Sequence, residues 1–167
     1  MQRPHYQVMC TWGLSGAKKL GLNADVVIWV DALNSESHQI PHQDAFPHDN
    51  TVVLASLFDA YAVADWAADY QLAQNRRLQI LVVCAGAESH SIEDQLAAGA
   101  VIERLSQRGL DAISPEAAVA NAAFVQLRNA TRHLLNASET AATYSPTEKE
   151  LTLDETLGTD SVRVLKK

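Results

Sequence analysis

The residues that could do chemistry follow two apolar runs that predict buried strands. Asp31 closes the first run. Cys84 ends the second, which leads through a glycine-containing turn to Glu93 and Asp94. Ligands of open α/β sheets bind at the carboxyl ends of the strands. Carboxylates at this position can hold Mg²⁺, which prefers oxygen ligands. A metal there could polarise a phosphoryl oxygen, so this edge of the sheet is the first candidate site.

The same residues also have a purely structural interpretation. Ser91 can cap the helix that it opens, with Asp94 at the reciprocal position of a capping box, and acids in a first turn stabilise a helix through its dipole. The pattern alone favours this interpretation. Cys84 lacks the arginine of a Cys-x5-Arg phosphate loop, because residues 85–90 contain none. A buried thiol is favoured, because free cysteine packs as a small hydrophobe.

A loop rich in histidine is the second candidate. It spans 32–50, shows no hydrophobic period, and contains His38, His42 and His48 close to Glu36, Asp44 and Asp49. Histidine and carboxylate side chains are zinc ligands. However, their spacing matches no known site, and ligand clusters need defined geometry to bind. A solvated loop is therefore favoured, and a metal-binding protein that uses this loop is kept as an alternative.

Composition excludes several classes of partner. The net charge is −7 and the pI about 5.2, which argues against nucleic acid and against an anionic membrane, because both require a basic face. No apolar run approaches the ~20 residues that span a bilayer, and the first residues lack the apolar region of a signal peptide. The two cysteines, Cys10 and Cys84, are too few and too far apart in the sequence for a disulfide scaffold. We therefore expect the protein to reside in the reducing cytoplasm.

Strand patterns and helix patterns alternate along the chain. This order predicts βαβ units and a mostly parallel sheet with helices on its faces, in one domain over 1–167. The irregular loop 32–50 and a weakly patterned tail at 136–160 interrupt it. The predicted strands are 5–11, 24–31, 51–55, 78–84 and 162–165, and the predicted helices are 13–21, 56–74, 91–109 and 115–135.

Four stretches of the chain together resemble one known family. The most specific is ILVVCAGAESHSIEDQLAAGAVIERL at 80–105, in which a strand ending in C-A-G precedes S-I-E-D and an A-G pair. The others are TWGLSGAKKLGLNADVVIWVDAL at 11–33, TVVLASLFDAYAVADWA at 51–67 and GLDAISPEAAVANAAF at 109–124. In this order they resemble the 2-phosphosulfolactate phosphatase, or ComB-like, family.

The resemblance implies a Mg²⁺-dependent phosphomonoester hydrolase with a three-layer α/β/α fold, acting on a small phosphorylated organic acid. It implies a catalytic and Mg²⁺-binding set of Asp31, Glu93 and Asp94. It also implies a substrate-contacting set of Ser37, Cys84, Gly86 and Ser91.

The chain departs from the family pattern where phosphate would be held. After Asp31, Asn34 stands at the family's arginine position and Glu36 at a hydroxyl position. Only 32–50 replaces the family's middle section, which carries motifs of the G-E-R-G-G, G-N-S-P and T-T-N-G-T types. Phosphoryl transfer depends on positive charge and positioning around the transferred group. We therefore expect a degenerate active site or, alternatively, a non-catalytic descendant that binds a ligand or partner.

The shortened sheet also bears on assembly. Loss of a sheet segment can expose strand edges, which are often covered by self-association. The sequence therefore favours a homodimer.

Overall fold

Strands and helices alternate through most of the chain. The computed structural model describes residues 5–33, 40–47, 49–86 and 91–166. The strands are β1 (Val8–Trp12), β2 (Val26–Val30), β3 (Thr51–Ala55), β4 (Ile80–Cys84) and β5 (Val164–Lys166). The helices are α1 (Gly13–Gly21), α2 (Ala60–Gln74), α3 (Ile92–Gln107), α4 (Pro115–Leu127), α5 (Thr131–Asn136) and α6 (Glu139–Thr143).

The five strands form one mixed sheet in the order β1-β4-β2-β3-β5. The first four run parallel, and β5 pairs with β3 antiparallel. The predicted α/β class with a mostly parallel sheet is confirmed. β2 and β4 lie inside the sheet and are fully buried, which explains their continuous apolar sequence, because such strands are covered on both faces.

The two faces of the sheet are covered unequally, in three layers. One face carries the larger core, in which Ile28 and Val82 pack with residues of α2, α3 and α4. The other carries a smaller core built around Trp29, with Ala17 of α1 and Phe46 of the loop before β3. The Phe46 ring meets the Trp29 ring edge-on, with 5.9 Å between the ring centroids. The loop before β3 therefore covers part of the face of the sheet on which α1 packs.

Helix α2 begins later than the sequence predicts. The predicted start is Ser56, with Asp59 completing a capping box, but α2 begins at Ala60. The Ser56 N–H and Oγ both donate to Asp59 Oδ1, at 2.7 and 2.9 Å. The serine hydroxyl is therefore a donor, whereas a capping serine accepts from a helix N–H. The predicted serine cap is wrong, and a turn precedes the helix.

The serine cap of α4 and the glycine after α3 are confirmed. Ser114 accepts from the Ala117 N–H at the start of α4. α3 stops before Gly109, whose φ of +87° favours glycine. The predicted helix 115–135 is interrupted by a 3-10 turn at Arg128–Ala130 and continues as α5.

Gly99 explains the A-G pair in the longest family-like stretch. A Cβ atom at Gly99 would lie 2.2 Å from the Ala120 carbonyl oxygen and 2.7 Å from the Phe124 Cβ. α3 and α4 therefore touch backbone to backbone at this point, and a side chain would push them apart. In the described part of the chain, no helix is long and apolar enough to cross a membrane.

Candidate functional site

Strand pairing brings the predicted site residues to one edge of the sheet. The last residues of three parallel strands are in register, with Val30 opposite both Ala55 and Cys84. The ladder continues one step further, because the Asp31 N–H donates to the Ala55 carbonyl at 2.9 Å and the Ala85 N–H donates to the Val30 carbonyl at 2.8 Å. The segments after β2, β3 and β4 thus leave from one level, at the carboxyl edge expected to bind ligand.

Asp94 fastens two of these segments together. Its side chain is 1% exposed. Oδ1 accepts from the Ala32 N–H at 2.8 Å, and Oδ2 accepts from the Gly86 N–H at 2.9 Å. Burial raises the pKa of Asp94, and the two backbone hydrogen bonds oppose that rise. Asp94 is therefore a clamp between the ends of β2 and β4.

This clamp revises the predicted capping box at α3. Ser91 does cap the helix, because its Oγ accepts from the Asp94 N–H at 3.2 Å. The reciprocal bond is replaced, since the Asp94 carboxyl turns to Ala32 and Gly86. A Cβ at Gly86 would lie 2.8 Å from the Ser91 Cβ and 3.3 Å from Asp94 Oδ2, so only glycine permits this close approach.

Asp31 and Glu93 are buried beside the clamp. Asp31 is 9% exposed and Glu93 is 4% exposed. Burial, followed by the nearby charges of Asp94, Glu93 and Glu150, raises the pKa of Asp31 to about 8. The three predicted acids are thus close enough to act on one another electrostatically.

Cys84 lies wholly inside the core, as the buried-thiol interpretation predicts. It is 0% exposed. A hydrogen bond with the Cys10 thiol and then burial raise the pKa of Cys84 above its ordinary value. A protonated thiol is a poor nucleophile. In this structure Cys84 supports the end of β4 and presents no surface to a ligand.

The donor atoms at this edge decide whether the predicted Mg²⁺ fits. Among residues 5–33, 40–47, 49–86 and 91–166, no group of three histidine, cysteine or carboxylate side chains could hold a metal ion. Both Asp94 oxygens already accept backbone N–H groups. The described residues therefore do not form a fitting Mg²⁺ site, and the assignment of Asp31, Glu93 and Asp94 as ligands stays a prediction.

Some predicted residues lie outside the described part of the chain. Ser37, predicted to contact substrate, is one of them, as are His38 and His48 of the histidine loop. His42 is described. Its Nδ1 lies 3.0 Å from Asp44 Oδ2, and both side chains are largely exposed. This exposed pair agrees with a solvated loop around His42, whereas Phe46 of the same loop packs into the core.

A cavity of about 150 Å³ opens at the same edge and includes residues that the sequence did not single out. It is lined by Trp29, Asp31, Ile40, Leu54, Ala55, Ser56, Asp59 and Arg163. Arg163 comes from the tail end of the chain. Its carbonyl accepts from the Leu54 N–H at 3.0 Å, beside the antiparallel strand β5. The predicted short strand at 162–165 was its only sequence signal, and no local motif shows which strand that segment joins.

Comparison with known families identifies the family that this chain resembles. A model of the 2-phosphosulpholactate phosphatase family matches residues 43–166, about three-quarters of the chain. The matched range contains Cys84, Gly86 and Ser91 as well as the two acids of α3. Asp31 precedes it. The comparison with curated proteins found no match.

Proposed function

Because this chain belongs to the 2-phosphosulpholactate phosphatase family, we propose that it is a phosphatase-like protein with a degenerate active site. It binds a small phosphorylated organic acid at the carboxyl edge of the sheet and hydrolyses it slowly or not at all. The proposal places Asp31, Glu93 and Asp94 at the site and gives Asp94 mainly a structural part.

The observation that carries this proposal is the charge balance at the edge. Asp31, Glu93 and Asp94 are buried together there, and the described lining of the adjoining cavity includes a single basic residue, Arg163. A phosphoryl group develops charge on three oxygens as it transfers, so fast catalysis requires several preorganised donors or cations. An edge with this balance can orient an anionic ligand but offers little stabilisation to its transition state.

Dependence on Mg²⁺ is suggested by membership of the family. When bound, Mg²⁺ would supply the positive charge that this edge lacks. The described side chains do not form such a site, so no step of the proposed function passes through a metal. What the residues themselves do is hold the strand ends together through Asp94 and line the cavity with Asp31 and Arg163.

The compartment and partners follow from the same features. We propose a cytoplasmic protein, supported by two buried cysteines that remain free thiols. The acidic net charge of −7 supports the proposed absence of nucleic-acid and membrane partners.

Phosphate release tests the proposal. Wild type, Asp31→Asn and the control Asp111→Asn are incubated with small phosphomonoesters, with and without Mg²⁺. Asp111 is an exposed acid next to Ala112, whose carbonyl accepts from the Val8 N–H at the start of β1. We expect release close to the uncatalysed background in every sample, together with measurable ligand binding by calorimetry.

Two results would change this conclusion. Turnover at an ordinary enzymatic rate of about 1 s⁻¹ or more, lost in Asp31→Asn and kept in Asp111→Asn, would contradict the degenerate site. Absence of both release and ligand binding would favour the second candidate, a protein that binds a partner and no small ligand. The structural use of both Asp94 oxygens is the observation that favours that candidate.

A further inference from the structure

The described lining of the cavity beside Asp31 includes one arginine, Arg163. Its side chain is exposed and forms no ion pair with another residue that the structure describes. A second cavity, of about 280 Å³, contains Arg128 and Arg132. Those two arginines pair with Glu103 and Glu148. Arg163 thus differs from them in having its charge available to a ligand.

A third cavity provides a further contrast. It is larger, about 400 Å³, and lies beside the edge strand β1, where its described lining includes Glu116 and no basic residue. An anionic ligand would gain no charge partner there. The small cavity at the carboxyl ends of β2 and β3 is therefore the better place for an acid.

Resting on the proposed function, we propose that Arg163 recognises the carboxylate of the phosphorylated organic acid, and that the phosphoryl group lies outside this cavity. The first argument is charge. Asp59 lines the cavity together with Arg163, and Asp31, whose pKa burial raises to about 8, adds a second negative charge only at alkaline pH. A dianionic phosphoryl group would therefore face at least one carboxylate across a single guanidinium. A singly charged carboxylate meets less repulsion and matches the two-pronged geometry of a guanidinium.

The second argument is the lack of hydroxyl donors. Ser56 is the one hydroxyl side chain in the described lining, and its proton is donated to Asp59 Oδ1 at 2.9 Å. Its N–H is donated to the same oxygen at 2.7 Å. Phosphoryl groups are held by several N–H and O–H donors, and these two are already engaged.

The third argument is size and lining. The volume of about 150 Å³ is well below the ~300–1,000 Å³ of pockets that enclose a whole drug-sized ligand. Ile40, Leu54 and Ala55 line the cavity beside the polar groups and suit a short carbon chain next to the carboxylate. The cavity thus accepts the acid end of a small ligand.

Calorimetric titration with two probes tests the inference. 2-Phosphoglycolate carries both a carboxylate and a phosphate, and ethyl phosphate carries only the phosphate on a two-carbon unit. Wild type should bind 2-phosphoglycolate about 10-fold or more tightly than ethyl phosphate, the usual effect of one charge-assisted pair. Arg163→Gln should remove this preference without weakening ethyl phosphate. Arg163→Lys should retain part of this preference, because lysine keeps the positive charge but lacks the planar, two-pronged guanidinium.

Arg77→Gln is the matched control, because Arg77 is exposed and precedes β4 at the opposite edge of the sheet. Its preference should equal that of wild type. Circular dichroism should show an unchanged fold for Arg163→Gln, since the bond from Leu54 reaches the backbone carbonyl.

Three results would overturn the inference. If Arg163→Gln kept the preference, Arg163 would not read the carboxylate. If it weakened both probes equally, Arg163 would hold the phosphoryl group. Either result leaves the proposed function standing. If wild type bound neither probe, the protein would not bind small phosphorylated acids. That result would contradict both this inference and the ligand-binding part of the proposed function.

Discussion

Replacing Asp94 should loosen the edge of the sheet that carries the candidate site. In Asp94→Ala, the N–H groups of Ala32 and Gly86 would stay buried and lose the oxygens that now accept them at 2.8 and 2.9 Å. A buried donor left unsatisfied costs about 1–3 kcal/mol. For two donors we expect the free energy of unfolding to fall by about 2–6 kcal/mol, a large share of the stability of a small domain.

Asp94→Asn should be less damaging than Asp94→Ala. One asparagine oxygen can still accept one of the two N–H groups, and the neutral amide avoids the burial cost that raises the pKa of Asp94. Its amide N–H₂ would face the other backbone N–H, so that backbone donor stays unsatisfied and the amide must find an acceptor elsewhere. We expect a loss of about 1–3 kcal/mol for this variant.

Urea unfolding followed by tryptophan fluorescence measures these losses. Trp29 lines the cavity beside Asp31 and reports on this edge. Glu116→Gln is the control, because Glu116 is an exposed acid in the first turn of α4. It should lose about 1 kcal/mol at most, from the helix dipole alone. The order of stability should be wild type, Glu116→Gln, Asp94→Asn and Asp94→Ala.

A loss for Asp94→Ala no larger than that for Glu116→Gln would refute the clamp. In that case the two hydrogen bonds would add nothing to the stability of the folded chain. If the clamp is real, loss of any activity in Asp94→Asn cannot identify a catalytic group, because the fold of the site changes with it. Asp31→Asn is therefore the variant to use in the phosphatase assay.

Three further predictions follow from the described contacts. The pKa of Asp31 rises from 3.8 in the unfolded chain to about 8 in the folded chain. Between these pH values the folded protein binds one proton more than the unfolded chain. The free energy of unfolding should therefore fall by up to about 1.4 kcal/mol per pH unit from pH 5 to 7. Urea titrations across this range should show that slope in wild type and lose it in Asp31→Asn; equal slopes would contradict the raised pKa. Gly99→Ala should lower the unfolding free energy by about 2–3 kcal/mol or more, because the added methyl group would lie 2.2 Å from the Ala120 carbonyl oxygen. The control Ala122→Gly, at an exposed position of α4, should cost about 1 kcal/mol. A loss from Gly99→Ala no larger than that of the control would argue against the close contact between α3 and α4. Beyond one bridge from Val8 to Ile113, β1 pairs along one side only in the described chain, so light scattering should find a homodimer, and a monomer at high concentration would count against this proposal.

The sequence determined the strands, most helix boundaries and the identity of the candidate edge. Continuous β-branched runs predicted the buried strands β2 and β4 because strands covered on both faces can be apolar throughout. Ser91, Ser114 and Gly109 marked helix ends through local hydrogen bonds and backbone preference, and such signals lie within a few residues of one another. The acids of the site were found because the carboxyl ends of parallel strands share one edge.

Only the tertiary structure decided how the polar groups are used. The same residue types at the same spacing are compatible with a capping box and with a clamp. In the folded chain the Asp94 carboxyl accepts from the backbone N–H of Ala32, which lies 62 residues away in the sequence. Ser56 became a donor for the same kind of reason, because hydrogen-bond direction depends on the neighbours that folding supplies. Arg163 reaches the cavity through an antiparallel strand pairing between distant segments, and no local pattern encodes that pairing.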